Sequence, residues 1–543
     1  MIFENFLKQT AKYLEDNIRC QKHKIEHTGK NIYAVVFYSH LGQLEKGKKL
    51  ILNTVKKITK DGESWIFYPG RLDHYNKSNN VIDCGAIVDS ISSFLKKHKN
   101  IFTKKELYEV ENALEKVVYT YLTSAAINKP ITNQRLWGLT GLASYYDYSK
   151  DEKLVSLIKK SIEISLDEMT RDGFFIYYPK AKANNCFEGY SGLTTYYQSR
   201  HTSFLYYSIE KADLDLNVYQ PRLEKSIEAL LGMYKKEGYK DLNLECKRWY
   251  WLGDYEVASN SFDIYALSKS NNPLARQVLN NSLVQIKNHF YNGHLHSHKG
   301  VNNDFQCYVF WNAHLAWLVR AINEKEWDEA SFLKELEFDI KLDNLVNVSG
   351  GNYQIILNNF WQPRNFTSGI LNNGLPNLHN KFFFRFKFIC PRKNILISIR
   401  ENIYHTRVAF HGMRFIEGFY RFFWMIKEIF ISFMPIYQLK YGKINRFNWD
   451  NNKLRFEVVP ATKFGALLKG VTYDVEFIFY NLITASGMES KSYKAREIRS
   501  ITANLQFIMS FNSKVFTIGF KKSCTFKFRK TCSPTHLVNR FKF

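Results

Sequence analysis

Residues 131–146, ITNQRLWGLTGLASYY, and residues 172–208, DGFFIYYPKAKANNCFEGYSGLTTYYQSRHTSFLYYS, decide the fold. An Asn-Gln pair opens the first helix of this stretch, and a second helix follows it. An Asp-Gly turn and an aromatic strip come next, and then a helix start that is crowded with Tyr, Arg and His. This order predicts helical hairpins whose helix N-terminal ends carry polar side chains.

Apolar residues recur at three- and four-residue spacing through most of the chain up to about residue 338, which indicates helices. The predicted helices are Val81–Lys97, Lys104–Ser124, Gln134–Tyr148, Glu152–Met169, Leu223–Lys235, Ser261–Ser268, Pro273–Phe290 and Tyr308–Ile322.

A glycine turn recurs along this helical part, at Asp61-Gly62, Asp172-Gly173 and Asn292-Gly293. The glycines are 111 and 120 residues apart, and each interval holds about four predicted helices. Helix pairs that recur in this way predict a ring of helical hairpins closed around a central funnel. Turns that coincide in an ordinary helical domain remain the alternative.

The composition changes near residue 340, where short runs of alternating apolar and polar residues begin. The predicted strands lie in Asn344–Phe360, Asn394–Arg400, Leu454–Val459, Thr472–Tyr480, Leu505–Phe511 and Val515–Phe520. We therefore predict an α+β multidomain protein. Residues 1–338 would form an (α/α) toroid that carries the site, and residues 339–543 an antiparallel β-sandwich.

The formal net charge of +25 predicts a polyanionic partner. Nucleic acid is disfavoured, because no spacing typical of RRM, KH or zinc-finger modules occurs. Basic residues are concentrated in the C-terminal third. Between Leu371 and Lys443 there are twelve Lys and Arg against three Glu, which favours an acidic polymer as the partner.

The eight cysteines form no CxxC pair, which favours reduced thiols over a disulfide framework. Glu4 and Lys8 interrupt the first apolar run, so it does not read as a secretory signal. Phe415–Tyr437 is apolar but interrupted by charges. We interpret it as a buried or interfacial segment, which leaves peripheral membrane contact open. Together these features predict a cytoplasmic protein; its oligomeric state is left open.

A helical toroid followed by a β-sandwich, with this central stretch, resembles the heparinase II/III-like polysaccharide lyases. In that family an Asn near a helix start is followed by an Asp-Gly turn and a Tyr-bearing segment. Asn133, Asp172-Gly173 and one of Tyr190, Tyr196 or Tyr197 match these positions. Gln134 stands where His is common in the family, and its amide cannot take up a proton.

The resemblance implies β-elimination in a uronic-acid polymer, with no metal or cofactor. Asn133 and Arg200 would neutralise the sugar carboxylate, and Tyr197 would act as base and then acid. His201 shares a helix face with Tyr197. The family also takes a His from the sandwich or its approach, for which His379, His405 and His411 are candidates. The predicted substrate-binding residues are Gln134, Arg135, Tyr190, Tyr196, Trp311, His314, Arg385 and Arg407. An intracellular lyase would trim polymer made in the same cell, such as capsule or surface polysaccharide.

Two other functions stay open. Asp83 and Asp89, at the start of a predicted helix, could be the acid and base of a helical-toroid glycoside hydrolase. A non-catalytic glycan-binding protein of polysaccharide biosynthesis would use the same basic and aromatic residues. The site residues also have a structural interpretation, in which the tyrosines pack in the toroid and Arg200 pairs with Glu210 or Asp213.

Overall fold

The structure is a computed structural model that describes the helical part of the chain and, beyond residue 350, strands alone. It describes residues 2–16, 19–20, 25–26, 28–67, 80–176, 179, 195–236, 238, 240, 256–291, 293–295, 308–334, 336–343, 345–350, 353–358, 376–380, 438–450, 453–461, 471–478, 502–511, 514–518 and 524–525.

The chain divides into two compact units, one of helices up to Leu336 and one of strands from Glu337. The helices are α1 (Ile2–Asp16), α2 (Thr28–Asn31), α3 (Ala34–His40), α4 (Leu44–Val55), α5 (Asn80–His98), α6 (Lys104–Val117), α7 (Thr123–Asn128), α8 (Thr132–Ser149), α9 (Lys153–Asp167), α10 (Thr195–Lys211), α11 (Leu216–Gly232), α12 (Glu256–Lys269), α13 (Pro273–His289), α14 (Tyr308–Ala321) and α15 (Glu324–Glu329). A π-helical turn, Val118–Leu122, joins α6 to α7.

The described helices form a closed ring. Helix α5 packs on α8, α8 on α10, α10 on α12, and α12 on α14. Helix α14 packs on α2 and α3, which in turn pack on α5. Outer helices alternate with these inner helices along the chain, and α9, α11 and α13 each pack on the inner helix before them in the chain. The helical part thus has the toroidal arrangement that the sequence predicted.

Short antiparallel strand pairs lead from outer helices to the next inner helices. They are β1 (Arg19–Cys20) with β2 (Ile25–Glu26), β3 (Ile58–Asp61) with β4 (Ser64–Phe67), the bridges Met169–Phe175 and Tyr234–Lys240, and β5 (Phe290–Tyr291) with β6 (His294–Leu295). Gly62, Gly173 and Gly293 turn with positive φ, as their sequence signals predicted. Gly238 is a further turn of this kind, with φ +91°.

Three of these glycine turns, at Gly173, Gly238 and Gly293, dock on the next outer helix around the ring, whereas Gly62 has open space beside it. A Cβ added at Gly173 would lie 2.2 Å from the carbonyl oxygen of Lys225 in α11. A Cβ at Gly238 would lie 2.4 Å from the Cβ of Asn281 in α13. The last turn, at Gly293, lies against α1, so the outer layer also closes on itself.

Aromatic rings fill the interior of the ring. The centroid of Trp137 is 4.8 Å from that of Phe204, which is 4.9 Å from Trp317 and 5.7 Å from Phe262. All four side chains are fully buried. Each comes from a different inner helix, so their burial holds α8, α10, α12 and α14 together.

Asp89 of α5 closes the ring electrostatically. Its Oδ2 accepts a hydrogen bond of 2.8 Å from Arg320 of α14. Its Oδ1 accepts bonds of 2.7 Å each from the Ser144 and Tyr207 hydroxyls, on α8 and α10. The carboxylate is fully buried, and four inner helices therefore meet at one charged group.

The second unit contains two antiparallel sheets. In the first, β7 (Asp339–Lys341), β8 (Leu345–Gly350), β9 (Tyr353–Asn358) and β10 (Pro376–Asn380) lie in the order β10-β9-β8-β7. In the second, β11 (Gln438–Asp450), β12 (Lys453–Ala461), β13 (Val471–Ile478), β14 (Thr502–Phe511) and β15 (Lys514–Ile518) follow in chain order, and β16 (Cys524–Thr525) pairs with β14.

The register of the second sheet places apolar residues on one face. Phe456 of β12 pairs with Phe447 and Val475, and Leu454 pairs with Trp449 and Phe477. Arg455, between them, belongs to the opposite face. The β-sandwich, with the two sheets packed on each other, stays a prediction.

Two of the predicted segments lie outside the described residues: the strand Asn394–Arg400 and the apolar segment Phe415–Tyr437. Among the helices that the structure does describe, none has the length and apolar character needed to cross a bilayer.

Candidate functional site

The candidate site lies at the N-terminal ends of α8 and α10, which are neighbours in the ring. Asn133 and Gln134 occupy the first turn of α8 and are 1% and 4% exposed. Asn133 Oδ1 and Gln134 Oε1 find no hydrogen-bond partner in the described part of the chain. Buried acceptors without partners are uncommon, and two in one helical turn could bond a bound molecule.

Tyr197 and His201 lie one turn apart at the start of α10, as their spacing predicted. Their rings are stacked, with centroids 6.1 Å apart and planes 10° from parallel. The edge of Phe175 meets His201 on another side, at 4.9 Å between centroids. The imidazole is fully buried, and its two nitrogens have no hydrogen-bond partner among the described residues.

His201 is held neutral. Burial lowers its pKa well below the usual value, and the positive charges of Arg135 and Arg200 lower it further. A neutral imidazole has one nitrogen that accepts and one that donates, so it can serve a ligand in either role.

The Arg200 guanidinium lies among the aromatic side chains that fill the interior of the helical ring. Its Cζ is 4.8 Å from the ring centroid of Phe262, 5.7 Å from Tyr197 and 5.9 Å from Trp137. Trp137 is one helical turn after Asn133, so Arg200 reaches α8 close to its polar first turn. Glu210, one of the acids that could have paired with Arg200, instead accepts hydrogen bonds from Lys269 and Tyr265.

Gln198 fixes the Asp-Gly turn next to this group. Its Nε2 donates to the Gly173 carbonyl at 2.9 Å, and its Oε1 accepts from the Phe175 N–H at 2.9 Å. Nε2 also donates to the Ser226 hydroxyl of α11 at 3.2 Å. The buried amide therefore sets where Phe175 meets His201.

Arg135 has another use than the one predicted from sequence. Its guanidinium pairs with Glu168 and donates to the Lys129 carbonyl at 2.9 Å. It also donates to the Thr132 hydroxyl at 3.4 Å. These protein partners account for its burial and argue against the predicted contact with substrate. Arg135 instead anchors the start of α8 to the end of α9.

The predicted hydrolase pair is also disfavoured by the geometry. Asp89 is saturated by Arg320 and two hydroxyls, deep in the ring. Asp83 lies six residues earlier on α5, about 9 Å along the helix axis. It is buried against α2, where a Cβ added at Gly29 would lie 2.2 Å from Asp83 Oδ1. The two carboxylates do not share an open site.

Several predicted site residues have no described side chain. Tyr196 and the pair Trp311 and His314 are described only as backbone of α10 and α14, and His379 only as backbone of β10. Tyr190, Arg385, His405, Arg407 and His411 lie outside the described residues. Their roles stay predictions.

Sequence reasoning missed a buried polar cluster beside the site. Lys240 forms an ion pair of 2.5 Å with Asp263 of α12, and both side chains are fully buried. Ser199 of α10 and Tyr234 also contact this pair. One signal could have found it: Lys240 and Asp263 are 23 residues apart, as are Phe175 and Gln198 in the preceding repeat.

No family model matches the chain, and no curated protein matches it. Three solved structures are distantly similar in fold. A heparan sulfate lyase mutant from Pedobacter heparinus is 11% identical with a TM-score of 0.42, and a heparinase III is 9% identical with a TM-score of 0.43. Each match covers 89% of this chain and 62% of the lyase, so the chain spans less than two thirds of either. A cellobiose 2-epimerase from Bacillus thermoamylovorans B4167 is 11% identical with a TM-score of 0.38, over 55% of this chain and 87% of the epimerase. Likenesses this distant assign no activity.

Proposed function

We propose that this protein acts on an anionic, uronic-acid-containing polysaccharide by β-elimination, at the N-terminal ends of α8 and α10. The observation that carries the proposal is the grouping on α10. The Arg200 guanidinium lies 5.7 Å from the Tyr197 ring, and His201 stacks on the same ring. Asn133, whose buried oxygen has no partner among the described residues, lies in the first turn of the adjacent helix.

Each group has a role that its chemistry allows. Arg200 and the Asn133 amide would neutralise the carboxylate on the sugar, where negative charge develops as the neighbouring C5 proton leaves. Tyr197 would take that proton as a phenolate, a form that the adjacent guanidinium favours. The C4–O bond then breaks, a C4–C5 double bond forms, and Tyr197 returns its proton to the leaving oxygen. Gln134 can hold substrate by hydrogen bonds but cannot transfer a proton.

The test is to incubate the protein with a panel of uronate polymers and follow ultraviolet absorbance from the unsaturated product. Tyr197→Phe is expected to lower the rate by about 100-fold or more, because it removes the proton-transfer group. Tyr206→Phe is the matched control. It removes a hydroxyl from the same helix, where Tyr206 contacts Gln220 and Glu224 of α11 and not the candidate site, and should leave the rate unchanged.

Other outcomes would replace the proposal. New reducing ends without absorbance would indicate hydrolysis. A polymer that binds with strong salt dependence but is never cleaved would indicate a glycan-binding protein, and Tyr197→Phe would then change nothing measurable. Elimination that survives Tyr197→Phe at the full rate would keep the reaction but refute the assigned base.

A further inference from the structure

The buried cluster around Lys240 joins three parts of the ring. Lys240 ends the strand bridge that follows α11, Asp263 belongs to α12, and Ser199 belongs to α10. The Lys240 ammonium contacts both Asp263 Oδ2 and the Ser199 hydroxyl. Tyr234 donates to the same carboxylate oxygen. Burial and the Asp263 charge raise the pKa of Tyr234 well above its usual value, so the phenol keeps the proton that it donates.

A buried charged cluster is an unusual way to fix the turn after α11 to the helices α10 and α12. Lys240, Asp263 and Ser199 are each fully buried. Taking an ion pair out of water costs so much that apolar residues of equal volume are often as stabilising. In the preceding repeat the same task is done by a neutral amide, Gln198. Stability alone therefore does not explain the ion pair. Its hydrogen bonds are directional, so they fix the position of Ser199, which an apolar contact would not do.

Ser199 is the link from this cluster to the candidate site. It lies between Tyr197 and Arg200 in the first turns of α10, two residues before His201. The turn at Gly238 supports it from outside: the Gly238 carbonyl accepts a 3.1 Å bond from the Ser282 hydroxyl of α13. Contacts therefore run from the outer helix α13 through the Gly238 turn and Lys240 to Ser199, and they set the position of the first turns of α10.

We propose that the Lys240–Asp263 ion pair is a positioning device, which through Ser199 sets the placement of Tyr197, Arg200 and His201. Its effect on turnover rests on the function proposed above, but its effect on the placement of His201 does not. Neither Lys240 nor Asp263 is expected to touch substrate. Each is a positioning residue.

The test uses the full chain and two kinds of variant. Lys240→Met with Asp263→Leu replaces the pair by apolar side chains of similar length and branching, and Ser199→Ala breaks only the link to α10. Ser208→Ala is the matched control, because Ser208 is fully buried on the same helix and its hydroxyl has no hydrogen-bond partner among the described residues. The readouts are thermal unfolding, the His201 signal in 13C-histidine NMR (assigned by its loss in His201→Gln), and turnover of any polymer that the wild type cleaves.

We expect the double variant and Ser199→Ala to fold, to shift the His201 signal, and to lower kcat by about 10–100-fold with little change in KM, because small displacements of reacting groups slow the chemical step most. Ser208→Ala should leave the signal and kcat unchanged. Folded variants with the wild-type His201 signal would overturn the proposal. If the double variant does not fold, Ser199→Ala alone decides. If the wild type cleaves no polymer, the proposed function fails, and the His201 signal still decides whether the ion pair positions the site.

Discussion

Asp89→Leu is the substitution that should damage the helical ring most. The new side chain has the branching of aspartate but is apolar and somewhat larger, so the change removes charge and acceptors without opening a cavity. It leaves the Arg320 guanidinium, whose side chain is only 10% exposed, without its carboxylate. It also leaves the Ser144 and Tyr207 hydroxyls without the acceptor that both share.

The expected loss follows from these contacts. Removing one partner of a buried ion pair costs about 3–5 kcal/mol. Two hydrogen bonds to a charged oxygen are worth about 1.5–3 kcal/mol each, but Ser144 and Tyr207 can still bond each other at 3.2 Å, which recovers part of that. We therefore expect a loss of at least about 4 kcal/mol, a large share of the roughly 5–15 kcal/mol that stabilises an ordinary domain.

The assay is urea unfolding followed by the helical circular dichroism signal, arranged as a double-mutant cycle with Arg320→Met. The double variant should be less destabilised than the sum of the two single variants, by about 1–3 kcal/mol, because no buried charge is left unpaired. Glu163→Gln is the control. It breaks an exposed pair with Arg222, which should cost less than about 1 kcal/mol. A loss below about 1 kcal/mol for Asp89→Leu, or no coupling in the cycle, would refute the role of this ion pair in closing the ring.

Three further predictions concern the same unit. Gly173→Ala should lower the free energy of unfolding by more than about 2 kcal/mol, because φ is +87° and the new Cβ would meet an α11 carbonyl. Gly62→Ala, at φ +64° in open space, should lower it by about 1 kcal/mol. Equal losses in urea unfolding would contradict the docking of the Gly173 turn on α11. Asp147→Asn should lower the melting temperature at pH 7, and the difference should shrink as the pH is lowered into the acid range. Burial disfavours the Asp147 carboxylate, yet hydrogen bonds from lysine ammoniums hold its pKa below the usual value, so its contribution is present above about pH 3.9 and is lost as pH falls through the lower folded pKa; a difference that persists in acid would count against this. Gln198→Ala should cost about 2–4 kcal/mol and speed hydrogen exchange at the turn that it ties down, and unchanged exchange would show that the amide is dispensable.

Local signals predicted much of the fold. The helix expected at Val81–Lys97 is α5 at Asn80–His98, because its apolar spacing is regular. The helix expected from Leu223 begins earlier, at Leu216. Pro221 reads as a helix breaker, but the Asp215 side chain caps the start by accepting from the Asn217 N–H. The turn at Gly238 was missed because glutamate precedes it, whereas Asp or Asn marks the others.

The sequence predicted which candidate side chains lie together only where they are close in the chain. Tyr197 and His201 are one turn apart, and the helical period alone places them together. Asp89 and Arg320 are 231 positions apart, and no local pattern links them. The same holds for Arg135, whose partner Glu168 belongs to another helix. Partners that are distant in the sequence decide whether a polar residue on an inner helix is available to a ligand or holds the helices together. The local patterns of a single sequence do not reveal those partners.

The closure of the ring on α1 has a consequence for synthesis. The ring of Phe6 lies 4.3 Å from Phe290 and 4.5 Å from Trp327, which are made roughly 280–320 residues later. At about 5–20 residues per second, the side of α1 that carries Phe6 waits on the order of 15–60 s before these partners are made, although α3, which also packs on α1, follows soon after it. During that time part of an apolar helix face is exposed and prone to association. We therefore expect the yield of folded protein to depend on the translation rate and on chaperones that bind the nascent N-terminal region.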